Sequence, residues 1–77
     1  MSSGKLHKMV GMANQIAAYF VTQPGDGAAE AVADHLRKFW EPRMRAAIIA
    51  YLKAGGAGLE PAAAEAVRRL GAGSRPV

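Results

Sequence analysis

A chain of 77 residues without cysteine excludes disulfides, thiolate zinc sites, iron–sulfur ligation and cysteine nucleophiles, and two histidines alone do not complete a four-ligand structural zinc site. The formal charge of +4 and a pI near 10.0 permit attraction to nucleic acid, an anionic membrane or an acidic protein face, without choosing among them. One small domain, residues 1–77, is the most such a chain can build, and at this size burial against a partner is the remaining route to added stability.

No uninterrupted apolar run is long enough to span a bilayer, and Met1 to Lys5 is not followed by an apolar segment with a small-residue cleavage site. The expectation is a soluble, unexported, cytoplasmic protein. Leu6, Met9, Val10, Ala13, Ile16, Ala17 and Phe20 follow the three-four spacing of one helical face, which predicts a first helix over 5–22. Pro24, Gly25 and Gly27 stop it, and Asp26 is placed to cap the next helix.

The second helix is predicted over 27–40, with Val32, Leu36 and Phe39 spaced by four and three. Arg37 and Lys38 fall at its negative end, where cations are favourable on structural grounds alone. Glu41 precedes Pro42 and so leaves the helical region, while Pro42 suits the first turn of a third helix over 42–54 that carries Met44, Ile48, Tyr51 and Leu52. Gly55, Gly56 and Gly58 end that helix. A fourth is predicted over 60–70, opened by Pro61 and lined by Leu59, Ala63, Ala66, Val67 and Leu70. Gly71 to Val77 lacks a periodic apolar residue and reads as a flexible tail. The fold class is therefore all-α, four short helices with no strand signal. The many alanines are read mainly as helix formers.

No nucleophile, base or phosphate loop emerges. His7 and His35 lie on different helices, and Asp34 and His35 point about 100° apart as helix neighbours. The glycine segment 55–58 lacks the Lys-Ser/Thr ending of a phosphate loop. Arg37, Lys38, Arg43 and Arg45, with Arg68 and Arg69 beyond, are a candidate basic patch for nucleic acid, but the third helix becomes apolar where a reading helix should be polar. The segment Phe39 to Arg45 concentrates the only Trp, a helix-breaking Pro and two Arg. It is either a capped junction with its aromatics inside or an anchor for another protein.

The Met12-Ala13-Asn14-Gln15-Ile16-Ala17 segment with Phe20, then His35-Leu36 and Phe39-Trp40-Glu41-Pro42-Arg43-Met44-Arg45, then Leu59-Glu60-Pro61, resembles the delta subunit of NAD-dependent molybdenum-containing formate dehydrogenases over about residues 5–70. The resemblance implies a non-catalytic accessory subunit of a complex that oxidises formate and reduces NAD. It implies no cofactor in this chain. The alpha, beta and gamma subunits are expected to carry bis-molybdopterin guanine dinucleotide, iron–sulfur clusters and FMN, and the delta subunit to support assembly, stability or molybdenum-cofactor retention. A transient maturation chaperone and a basic nucleic-acid module are the alternatives.

On this reading the expected partner-binding residues are Asn14, Gln15, His35, Phe39, Trp40, Pro42, Arg43, Met44 and Arg45. Asn14 and Gln15 read either as polar contacts, capturing partner backbone or holding a junction inside the subunit, or as part of a solvated helix face. Pro42 is expected to set the angle at which Phe39 packs inward while Trp40, one residue on, faces elsewhere. The Trp40 region and the outer face of the first helix would then dock on the alpha subunit.

Overall fold

The computed structural model describes residues 2–23 and 27–73. Four helices succeed one another, α1 over Ser2–Val21, α2 over Ala28–Phe39, α3 over Pro42–Lys53 and α4 over Pro61–Gly73. Each bound lies within about one turn of its sequence expectation. The expected cap at Asp26 and the stop at Pro24 and Gly25 lie outside the described residues. α1 has already ended before them, closed by the amides of Thr22 and Gln23 on the carbonyls of Tyr19 and Phe20 and by the Thr22 hydroxyl donating to Tyr19 O at 2.7 Å.

The junction between α2 and α3 is a stop with an immediate restart. Trp40, with extended ψ, still donates its amide to Leu36 O, while Glu41 is extended ahead of Pro42 in the first turn of α3. At the far end of α3, Gly55 N–H bonds Leu52 O and Gly56 N–H bonds Tyr51 O, both at 3.0 Å, which is the paired closure of a Schellman motif. Gly56 sits at φ +64°, and a Cβ there would lie 2.8 Å from Leu52 Cδ1. Only glycine fills that position without moving Leu52. The Tyr51 hydroxyl donates to Ala57 O and ties the loop back to its helix.

α2 and α4 share the most extensive helix contact, with α1 packed against both and α3 packed against α4 and α1. The buried set comprises Met9, Val10, Ala13 and Ala17 of α1, Val32, Ala33 and Leu36 of α2, Trp40, Ile48 of α3, and Ala63, Ala66, Val67 and Leu70 of α4. Five of these are alanines with no more than 2% exposure, Ala13, Ala17, Ala33, Ala63 and Ala66, and so they act beyond helix propensity. A missing side chain lets two backbones approach, and the bulky Leu36, Leu70 and Trp40 fill the space around them. α4 also runs past its expected end: Gly71 and Ala72, assigned to the tail, are helical, and a Cβ on Gly71 would stand 3.4 Å from Ile49 Cγ2. The absent side chain lets the last turn of α4 lie against α3. Residues 74–77 of the expected tail lie outside the described residues.

One expectation is reversed. Trp40 is 6% exposed and joins the core, whereas Phe39 is 71% exposed. At 100° per residue Trp40 falls about 30° from the centre of the arc set by Val32, Ala33 and Leu36, and Phe39 about 70° from it. Ala33, a weak hydrophobe, shifts the stripe enough to choose between two adjacent aromatics.

Candidate protein-contact surface

Eight of the nine residues expected to face a partner separate into three groups, and Gln15 stands apart from them. Asn14, Arg45 and Trp40 are engaged inside the subunit. Asn14 donates from Nδ2 to Gly58 O and accepts the Glu60 amide on Oδ1, both at 2.8 Å. One side chain thus holds two loop groups that belong to no helix, the carbonyl and amide flanking Leu59. Of its sequence readings, the structure realises the internal junction. Arg45 Nη1 donates to Arg37 O at 2.9 Å and Trp40 O at 2.7 Å. These two carbonyls lie at and just past the end of α2, where the helix offers them no amide, and a guanidinium serves both as hydrogen-bond donor and as cation against the dipole. Trp40 lies under this clamp as core.

The second group is the half-buried His35 with the exposed Phe39. Phe39 packs at a tilt against His35 with ring centroids 4.7 Å apart, His35 meets Phe20 edge-on at 6.2 Å, and Phe20 meets Tyr19 at 5.2 Å. The run of four rings crosses from the end of α1 to the end of α2. His35 and Phe39 are one helical turn apart, which places both on one side of α2 beside the buried arc. Phe20 is half-buried against the core, while Tyr19 at 62% and Phe39 at 71% exposure stand at the two ends of the run. Val21, 53% exposed, extends the apolar surface into a groove of about 580 Å³ between α1 and the start of α4, where Gln15, Ala18 and Pro61 also lie.

Pro42 and Arg43 are exposed and Met44 is half-buried at the start of α3. They form the third group, on a different groove that Arg43 and Met44 share with the early turns of α1. The structure therefore brings His35 and Phe39 together, places Arg43 and Met44 elsewhere, and leaves Gln15 on a third surface. Tyr19 and Val21 were missed by the sequence reading, which assigned Phe20 to the apolar stripe and gave the flanking residues no role. The signal that finds them is their bulk off that stripe at a helix end.

Charge on the α2–α4 side is largely consumed within the chain. Arg37 pairs with Glu30 at 3.6 Å and Asp34 at 3.8 Å, and Lys38 pairs with Asp34 at 3.1 Å. Arg68 and Arg69 both meet Glu65, and Arg69 reaches Glu30 at 3.4 Å. Hydrogen bonds that the Arg69 guanidinium donates to Glu65, and then to Glu30, hold it above its ordinary pKa. The basic patch considered for nucleic acid is thereby divided: Arg37, Lys38, Arg68 and Arg69 have carboxylate partners, and Arg45 serves backbone. Among the described residues no group of three or more His, Cys, Asp or Glu is placed to hold a metal ion. No helix there is long and apolar enough to cross a membrane.

A surface that ends in solvent-facing Phe and Tyr rings suits recognition by another protein. No curated protein and no solved structure matches the chain. A family model described as NADH-dependent formate dehydrogenase delta subunit FdsD matches residues 8–67, which hold both internal clamps and the whole ring run. The chain belongs to that family, the delta subunits of NADH-dependent formate dehydrogenases.

Proposed function

We propose that this chain is a non-catalytic accessory subunit that docks on the catalytic alpha subunit of a formate dehydrogenase through the ring run of Tyr19, Phe20, His35 and Phe39. The observation that carries the reading is Phe39, a large apolar side chain 71% exposed that packs its ring at a 38° tilt against His35. A ring already ordered in the free subunit loses little conformational freedom on binding, so more of its burial is expressed as affinity. Family membership supports the choice of complex, and the exposed ends of the ring run support it as the docking face.

In this reading the bis-molybdopterin guanine dinucleotide, iron–sulfur clusters and FMN belong to the alpha, beta and gamma subunits. This chain contributes packing: covering part of the alpha subunit raises the free energy of opening there and so supports assembly, stability or retention of the molybdenum cofactor. Trp40, placed in the core, has an indirect part, fixing the end of α2 from which Phe39 projects.

The test is recovery of the larger subunits with affinity-tagged chain from the native host. Phe39→Ala should leave the helical content of the free chain unchanged and raise the dissociation constant by about tenfold or more, the usual effect of removing an aromatic anchor. Equal recovery by a folded Phe39→Ala variant would remove the ring run as the docking site. The purified active enzyme should also contain the chain at fixed stoichiometry. Absence from active enzyme would instead identify a transient maturation chaperone.

A further inference from the structure

We infer that the groove between the start of α1 and the start of α3 seats an acidic segment of a larger subunit, with an apolar side chain inserted between carboxylates; this rests on the reading of the chain as a subunit. Lys5, Lys8 and Met12 recur at positions i, i+3 and i+7 and so line one face of α1, opposite Arg43 and Met44 of α3. The space between them is about 350 Å³. Met12, 37% exposed, and the half-buried Met44 lend it an apolar lining, and Lys5, Lys8 and Arg43 are exposed at its edges.

Charge selects the occupant. Glu30, Asp34 and Glu65 are engaged with Arg37, Lys38, Arg68 and Arg69 on the α2–α4 side, whereas Lys5, Lys8 and Arg43 have no ion-pair partner among the described residues. Three cations against the single carboxylate of Glu41 leave the groove electropositive. The thioethers of Met12 and Met44 are flexible and polarizable, and adapt to an inserted aliphatic or aromatic side chain. A nucleic acid fits less well. Its continuous phosphates would have to pass Glu41, and the groove offers no ring on which a base could stack. A protein segment places its carboxylates only where the cations are. The groove is separate from the ring run, so two faces of the subunit would engage the complex and each would strengthen the other.

The experiment uses the complex recovered through tagged chain and treated with a zero-length carbodiimide, which joins an amine only to a carboxylate in contact with it. Lys5 or Lys8 should be joined to an Asp or Glu of a larger subunit. The exposed double variant Lys8→Glu/Arg43→Glu should retain the circular dichroism of the parent, raise the dissociation constant at least tenfold and make recovery less dependent on salt, while Lys8→Arg/Arg43→Lys should bind like the parent. Intact co-recovery without any such cross-link from the parent chain overturns the inference, as does unchanged recovery of the folded charge-reversed variant. Recovery abolished by nuclease assigns the groove to nucleic acid and also overturns it. A parent chain recovered without larger subunits defeats the subunit reading itself, and this inference with it.

Discussion

Phe39 and Trp40 are chain neighbours with opposite environments, and the reason is angular. Trp40 continues the arc of Val32, Ala33 and Leu36, so its indole is core, and Trp40→Ala would leave a cavity costing about 3 to 5 kcal/mol. For a small domain that is most of the stability, and thermal unfolding of the free chain should lose its cooperative transition. Phe39→Ala should change the same transition by less than about 0.5 kcal/mol because the ring is solvent-facing. Asn14→Ala removes two hydrogen bonds to loop backbone and should lower stability by about 1 to 2 kcal/mol, read as a lower urea midpoint with unchanged slope. Asn14 was identifiable in the sequence as a residue able to bond in both directions. Its partners were not, because Gly58 and Glu60 reach it only through the packing of α4 on α1.

The helix ends are closed by several devices, which differ in how far they can be read locally. Pro42 and Pro61 at the first turns, and glycine after α3, are chain-local rules and were legible. Gly56→Ala should cost about 1 to 2 kcal/mol from its positive φ, more if Leu52 cannot move, and differential scanning calorimetry of the variant measures it. The end of α2 is closed from outside by Arg45, which returns from the first turns of α3. Arg45→Met should therefore destabilise by about 2 kcal/mol and speed hydrogen exchange of the amides at the end of α2 before those of α4. The sequence marked Arg45 as a residue of interest, but the expected use, pairing with a partner, differs from its observed engagement. A guanidinium is equally suited to both, and only the extended break at Trp40 and Glu41 between α2 and α3 places it within reach of the Arg37 and Trp40 carbonyls.

For the molecule as a whole, stability comes from close helix packing around buried alanines, while charge is divided between a compensated side and an uncompensated one. The ion pairs on α2 and α4 are exposed, so Glu30→Gln, which breaks the links to Arg37 and Arg69, should shift stability by less than about 1 kcal/mol, with the difference fading at high salt. In the assembled enzyme the chain should unfold at a higher temperature than alone, since a partner that binds only the folded state stabilises it by mass action. The all-α class, four elements and their approximate bounds come from the sequence by itself, because apolar spacing, proline at first turns and glycine at ends act within a few residues. The motif segments likewise indicated the delta-subunit family. The tertiary structure alone decided that Trp40 is inside and Phe39 outside, that Asn14 and Arg45 hold the subunit together, and that Lys5, Lys8 and Arg43 share a groove without carboxylate partners among the described residues. Those outcomes depend on which helix covers which arc and on contacts between residues distant in sequence, and periodicity along one helix does not specify its neighbour.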